Sequence, residues 1–376
     1  MTPFFRFMLL RWLFFSLLGC VISQCIIESP QSIPDTCTPI SNDFSFYSGS
    51  ENINSGSNSA SVLSESSIPS GYAMIIQMQG VSIDSSNTED YGGSDGSGKG
   101  FIYNESDSIG KYEFNVISST TSIPGGYNII FENNFENDYF TGDVFRFQVI
   151  TFPFCEHVIL DSSISIPPWN GEIGGVIPIL ANTLQINSDL DLVFDGFGFR
   201  GGFAPGSSSS ENSNDYVNDC TGGQRDGEKG EGIAGQPSFG GSETPSYPDG
   251  SCSRGSPGNA GGGGNRGTSG TGGGGGGGSN GGFGQDGFPS SNNNALGGLG
   301  GVSLYPDGIE NYDRIYLGGG GGSGRFNAQA DGGNGGAIVI IHANEITDTE
   351  ISTSLTISSN GLKNTSPNKN GGGKKH

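Results

Sequence analysis

Seven consecutive glycines, Gly272 to Gly278, constrain this chain more than any other feature of its sequence. They lie within the stretch GTSGTGGGGGGGSNGGFG, whose backbone carries few side chains. Glycine accounts for 69 of the 376 residues, well above the usual share of about 7%. Such a tract is a flexible tether, a phosphate-binding loop, a calcium-binding loop or a structure built from the backbone itself.

Two similar strand patterns enclose the glycine-rich tract. GGVIPILANTLQI begins at Gly174, and GGAIVIIHANEI begins at Gly335. A tether has no need of matching units at its ends, so we expect the two units to pair and to hold a partly irregular insert, about 203–334. Asn182 and Asn344 are predicted to lie at corners, because Asn tolerates left-handed backbone and bonds its own turn.

Alternating apolar residues predict an all-β fold. Strands are expected near 72–79, 112–118, 127–131, 144–151 and 157–160. The predicted fold has a barrel- or sandwich-like part at 68–166. It continues into a sheet or solenoid-like unit at 167–361 that brackets the insert. Residues 24–67 are predicted to be a Ser/Asn-rich extended entry segment, and 362–376 a disordered tail.

The N-terminus has the pattern of a secretory signal peptide over residues 1–23. Arg6 and Arg11 precede an apolar run that is too short to span a membrane as a helix. Small residues favour cleavage after Ser23. An alternative is a lipobox, LLGC, which would place a lipid anchor on Cys20. No later segment is apolar enough to span a membrane, so an extracellular or cell-surface location is expected.

Export permits disulfides. The shortest loops predict the pairs Cys25–Cys37 and Cys220–Cys252, which leaves Cys155 free and buried. Asn104 and Asn364 begin N-glycosylation sequons, which matter only in a eukaryotic host.

The net charge of −22 and the pI of about 4.2 argue against nucleic acid as a partner, because a polyanionic backbone would be repelled. An anionic membrane surface is disfavoured for the same reason. Glycans, surfaces or sister molecules remain as the expected partners.

Two motifs match part of a known ligand-binding pattern but lack residues that the pattern requires. Gly93, Gly98 and Lys99 have the spacing of a phosphate loop, but Gly100 stands where Ser or Thr would bind magnesium. The stretch from Gly281 matches a single calcium-binding nonapeptide, with Asp286 in the ligand position, whereas such sites need tandem copies. No cofactor is therefore predicted, and calcium is the one alternative left open.

Two charged patterns have structural interpretations. The acidic triplet of Asp189, Asp191 and Asp195 is interpreted as a solvated strand edge rather than half of a calcium site. The run GEKGEG at 227–232 has two collagen-like triplets and then loses the period, so collagen is excluded.

The order of PPWNGEIGGVIPILAN, GFGFRGG, a glycine-rich tract and GGNGGAIVIIHAN resembles glycine-rich secreted or cell-surface proteins, mostly bacterial and adhesin-like. The resemblance covers roughly residues 70–361. Its most distinctive pieces are Trp169-Asn170-Gly171 and the Arg200-Gly201-Gly202 run. It implies export, an all-β scaffold and a role in display or adhesion, without an enzymatic activity to transfer. We expect Arg200 to act as a clamp on bare carbonyls or an Asp.

These observations predict a secreted or surface-displayed structural or adhesive protein without catalytic activity. The alternative is a secreted carbohydrate-binding or carbohydrate-active β protein, which would need a cleft that gathers Trp169, other aromatic residues and two carboxylates.

Overall fold

A computed structural model describes residues 35–39, 43–104, 108–187, 189–204, 213–218, 220, 226–235, 251–268, 271–290, 294–305, 313–325, 330–348 and 354–363. Within them the fold is all-β, as the alternating sequence predicted. In chain order the strands are β1 (Thr36–Cys37), β2 (Ser45–Ser48), β3 (Ser59–Leu63), β4 (Gly71–Gln79), β5 (Lys99–Gly100), β6 (Tyr112–Ile123), β7 (Gly126–Phe131), β8 (Arg146–Thr151), β9 (Cys155–Leu160), β10 (Val176–Ile186), β11 (Leu190–Val193), β12 (Ser256–Pro257), β13 (Ile338–Asp348) and β14 (Leu355–Ser358).

The N-terminal part is a six-stranded antiparallel sheet with the order β2-β8-β4-β6-β7-β3. Irregular register in β4, between Gln77 and Gln79, and in β6, between Ile117 and Ser119, marks two bulges. Because a bulge increases local twist, these positions help the sheet to curl into a half-barrel. The five strands expected from residue 72 to 160 are all present.

The predicted entry segment is part of this sheet. Strand β2 pairs with β8, and β3 pairs with β7. The extended entry segment predicted over 24–67 therefore contains two strands of the sheet, Ser45–Ser48 and Ser59–Leu63. Ser and Asn dominate the exposed positions there, and they masked the short buried pattern of Ala60 and Val62.

The two similar strand units pair directly, as predicted. Strand β10 runs parallel to β13, from Val176 opposite Ile338 to Ile186 opposite Asp348. The following strands also pair, with Leu190 opposite Leu355. Strands β10 and β11 thus form one layer, and β13 and β14 form the next, in the manner of solenoid coils.

Asn182 and Asn344 stack across these layers, but not for the reason that the sequence suggested. Neither residue has a positive φ. Instead, the Asn344 amide donates to Asn182 Oδ1 at 2.6 Å, and the Asn182 amide donates to Glu156 at 3.0 Å. The two asparagines therefore form a polar ladder across β9, β10 and β13.

One apolar core joins the sheet to the parallel strands and the glycine-rich unit. It includes Met74 of β4, Leu184 of β10 and Phe199, together with Ile233 and Leu317 from the glycine-rich part. A second, smaller cluster lies on the other face of the six-stranded sheet around Tyr139 and Phe147.

Two disulfides connect distant segments. Cys220 pairs with Cys252, as predicted. Cys37 pairs with Cys155, across 118 residues of sequence, so the expected Cys25–Cys37 pair and a free Cys155 are both wrong. Parallel pairing of β1 with β9 brings Cys37 and Cys155 together, which loop length alone could not indicate. Cys25 lies outside the described residues.

Candidate functional site

The glycine-rich unit is a bundle of extended segments with a period of three residues. A Cβ added to Gly272, Gly275 or Gly278 would collide with the carbonyls of Arg325, Gly322 and Gly319, respectively. Every third residue of this segment therefore contacts the same neighbouring segment, and the residue that it contacts moves three positions toward the N-terminus each time. Three residues per turn is the repeat of the polyproline II helix.

The seven-glycine run is an interior segment of this bundle with the three-residue repeat of a polyproline II helix. Along it, Gly273 donates to Asn265, Gly274 to Phe288, Gly276 to Gly262 and Gly277 to Gln285, with N···O distances from 2.8 to 3.0 Å. Since a polyproline II helix has no internal hydrogen bonds, every backbone group is free to bond sideways. The bundle satisfies the buried backbone through these bonds between segments.

Close approach, rather than a left-handed backbone, explains why glycine is needed here. Among the described glycines after Gly258, none has a φ in the positive range. At Gly263, Gly298 and Gly332 an added Cβ would instead collide with a backbone carbonyl of an adjacent segment. This answers the question posed by the sequence in favour of a structure built from the backbone.

A charged segment, 226–235, passes through the bundle and connects it to the rest of the fold. Glu231 is fully buried. Its Oε1 accepts hydrogen bonds from Trp169 Nε1 at 2.8 Å and from Gln79 Nε2 at 3.1 Å. Its Oε2 accepts from Arg200 Nε at 2.8 Å and from the Arg200 backbone N–H at 3.1 Å. One carboxylate therefore joins β4, the Trp169 loop and the Arg200 segment.

Asp226 and Lys229 anchor the loops beside the bundle. Asp226 Oδ1 accepts from the Arg266 backbone and guanidinium, and Asp226 Oδ2 accepts from Ser213. The Lys229 ammonium donates to the carbonyls of Tyr216, Ser253 and Gly255 and lies 4.4 Å from the centroid of the Tyr91 ring. Burial lowers the pKa of Lys229, and the nearby Asp226 carboxylate opposes that shift.

Sequence reasoning missed these charged residues. It dismissed GEKGEG because the collagen triplet was not sustained. The three-residue spacing of Gly227 and Gly230 was nevertheless a correct signal, because both glycines contact backbone in the bundle. Glu228, Lys229 and Glu231 occupy the other positions and are all buried.

The predicted structural residues take defined roles at this junction. Trp169 is buried and packs edge-on against Phe199, with ring centroids 5.7 Å apart. Asn170 Oδ1 accepts from the backbone of Glu172 and Ile173, and Gly171 has a φ of 107°. This geometry builds the tight turn that carries Trp169 into the core.

Arg200 is a clamp, as expected, but its acidic partner is a glutamate. The sequence suggested bare carbonyls or an Asp, whereas the structure supplies Glu231. Gly201 donates to Asn334 Oδ1 at 3.0 Å, and Gly202 donates to the carbonyl of Gly321 at 2.9 Å. Gly201 and Gly202 are thus the first bundle residues after Arg200 in the chain.

Two carboxylates of the acidic triplet accept hydrogen bonds from the adjacent layer. Asp189 accepts from the Ser354 backbone at 2.8 Å, and Asp195 accepts from Ser358 Oγ at 2.6 Å. Within the described part of the chain, strand β11 pairs with β14 on one side only, and Asp189 and Asp191 are exposed, whereas Asp195 is half-buried.

The near-motifs for phosphate and calcium also have structural partners. Lys99 pairs in β5 with Ser256, and its ammonium lies 3.9 Å from Asp286. Asp286 accepts from the Gly300 backbone at 2.8 Å. Among the described residues, no group of three or more His, Cys, Asp or Glu side chains is placed to hold a metal ion.

The outermost segment of the bundle presents aromatic side chains to solvent. Gly284 and Gly287 face the seven-glycine run, and a Cβ added to either would collide with a carbonyl of that run. Between and beside them, Phe283 and Phe288 are 58% and 68% exposed. Because the backbone at Gly284 and Gly287 packs on the bundle, the side chains between and beside them lie on the surface.

No protein-family model matches the chain, and no curated protein is significantly similar to it. In the part of the chain that the structure describes, no helix is long and apolar enough to cross a membrane.

Proposed function

We propose that this chain is an extracellular structural or adhesive protein without catalytic activity, displayed at or released from a cell surface. The observation that carries the proposal is the glycine bundle, which holds an aromatic-bearing edge at Phe283 and Phe288 by backbone packing. Export is supported by the predicted signal peptide and is compatible with the two disulfides. Asn104, at one predicted sequon, is exposed.

The buried charged groups support a structural role for the junction. Glu231 accepts hydrogen bonds from Arg200 and Trp169, and Asp226 accepts hydrogen bonds from Arg266 and Ser213. An activated nucleophile or general base needs access to substrate. Trp169, which the carbohydrate alternative would place in a cleft, is buried instead.

Carbohydrate binding without turnover is the second candidate, and the exposed aromatics favour it. Phe283 and Phe288 flank Gln285 and Asp286 on the same outer segment. Aromatic faces with neighbouring amide and carboxylate groups can pack on a sugar ring and bond its hydroxyls. Individual contacts of this kind are weak, so binding would depend on multivalency.

The experiment measures binding of the mature chain to immobilised extracellular polysaccharides, once as free protein and once arrayed on beads. We expect retention only in the arrayed form, and a loss of at least about tenfold in the Phe283→Ala/Phe288→Ala variant. Leu63→Ala, at an exposed apolar site on β3, is the matched control. Saturable hydrolysis that a single carboxylate substitution abolishes would contradict the non-catalytic proposal, and equal retention of all variants would contradict the role of the aromatic edge.

A further inference from the structure

Among the described residues, strand β13 is an unpaired edge of the parallel sheet. The sheet order is β1-β9-β10-β13, so β13 pairs with β10 on one side only. At the other edge, the two-residue strand β1 pairs with His157 and Val158 of β9, and the Cys37–Cys155 disulfide fixes it there. Among the described residues, the eleven-residue strand β13 is therefore the longer edge at which a further strand can join this sheet.

Apolar rows that are covered in the inner layer become exposed at this edge. Leu184 is fully buried in β10, whereas Ile346, its neighbour in β13, is 61% exposed. Leu192 in β11 is fully buried, whereas its neighbour Ile357 in β14 is 41% exposed. The outer strands β13 and β14 thus have apolar side chains at positions where the inner strands are buried, but in the outer strands these side chains are exposed to solvent.

The backbone at the start of β13 is oriented for pairing. Ile338 donates its N–H to the Gly175 carbonyl at 2.9 Å, toward β10. Alternate residues of a parallel strand direct their backbone groups to the same side. Val339, Ile341 and Ala343 therefore direct their N–H and C=O groups away from β10, as an edge strand does.

We infer that a second copy of this chain covers the edge, with the two β13 strands antiparallel about a two-fold axis at Ile341. Ile341 then lies opposite itself, and Val339 lies opposite Ala343 of the second copy. All three residues use outward backbone groups, and their side chains fall on the same face. The two four-stranded sheets become one continuous sheet, and the contact closes as a dimer.

Charge and composition favour a second copy over other occupants. The whole chain carries a net charge of −22, yet Ile338–Asn344 contains no acidic residue, so two copies meet here without like-charge repulsion between the paired strands. The sequence after Lys363, NTSPNKNGGGKKH, contains no Val, Leu, Ile, Met, Phe, Tyr or Trp side chain of the kind that would cover the apolar rows. The inference does not depend on the proposed adhesive function.

The test compares the mature wild-type chain with two variants by light scattering after size exclusion and by sedimentation equilibrium. We expect a wild-type dimer. His342→Lys introduces like charges near each other across the two-fold axis and should weaken dimerisation by at least about tenfold, since like charges across paired strands are unfavourable. Val193→Lys, on an exposed position of β11, should leave dimerisation unchanged.

A cysteine at position 341 tests the register. Directly opposed, hydrogen-bonded residues of antiparallel strands have Cα atoms about 5.5 Å apart, within the range that a disulfide bridges. Ile341→Cys should therefore yield a covalent dimer under mild oxidation, and Val193→Cys should not. A wild-type chain that stays monomeric at high concentration would overturn the inference. So would a dimer that tolerates His342→Lys and does not cross-link at position 341.

Discussion

At the residue scale, this fold buries several charged side chains, among them Lys229 and Glu231. Lys229 is held by three carbonyl oxygens and the face of Tyr91. Burial of an ammonium is costly unless it is paired and hydrogen-bonded, and the glycine-rich surroundings supply carbonyls in place of side chains. The sequence showed a charged run but not its burial, because charged residues are usually exposed.

Tyr91 gives a prediction at this scale. Its ring packs on Lys229, but its buried hydroxyl has no hydrogen-bond partner among the described residues. Tyr91→Phe keeps the ring and removes an unsatisfied polar group, so we expect the free energy of unfolding at pH 7 to stay the same or rise by about 1 kcal/mol. Tyr91→Leu, which loses the aromatic face, should be less stable than Tyr91→Phe in urea denaturation.

The same variant changes the response to alkaline pH. Burial raises the pKa of the Tyr91 phenol above its unfolded value. The folded state therefore disfavours the phenolate, and stability falls as the pH rises above about 10. Tyr91→Phe should lose part of this alkaline decline. An unchanged slope of unfolding free energy against pH would contradict the assigned environment.

At the element scale, sequence pattern predicted the strands well and the glycine bundle poorly. Alternation located β4, β6 and β8 because each has apolar residues on a face that packs in the core. The echo of GGVIPILAN and GGAIVIIHAN predicted that β10 and β13 would pair. A polyproline II segment leaves no apolar pattern, because its contacts are made by backbone, so only the three-residue glycine spacing reveals it.

The packing of the bundle predicts that alanine substitution will destabilise the protein at one glycine but not at another, although neither glycine has a positive φ. Gly275→Ala would drive its Cβ into the Gly322 carbonyl, whereas Gly282 has no atom within 4 Å of an added Cβ. Overpacking against backbone costs about 1–3 kcal/mol or more. We expect Gly275→Ala to lower the free energy of unfolding by at least that amount and to expose the tract to proteolysis.

Gly282→Ala is the matched control and should change the unfolding free energy by no more than about 0.5 kcal/mol. If both variants are equally stable, the segments are not in contact through their backbones. Limited proteolysis followed by mass spectrometry locates the first cleavage and shows whether it falls within the tract.

At the scale of the whole molecule, the junction around Glu231 connects parts that the sequence separated, and we expect them to unfold cooperatively. The predicted boundary near residue 166 divides β9 from β10, yet these strands pair from Ala181 opposite Cys155 onward. The core also crosses that boundary. Such long-range pairing, like the Cys37–Cys155 disulfide, depends on topology and has no local signal in the sequence.

Glu231 tests this cooperativity through a natural reporter. Trp12 lies in the predicted signal peptide, so Trp169 would be the only tryptophan of the mature chain, and its indole donates to Glu231. We expect unfolding followed by Trp169 fluorescence and by far-ultraviolet circular dichroism to coincide. Glu231→Ala leaves Arg200 and the Trp169 indole without their shared acceptor and should cost about 3–5 kcal/mol, the usual range for a broken buried ion pair. Because the junction joins β4, the Trp169 turn and the bundle, both signals should shift together.

Glu65→Ala, on an exposed carboxylate, is the control and should shift neither signal. A fluorescence transition that moves alone would show that the glycine bundle unfolds separately from the sheet.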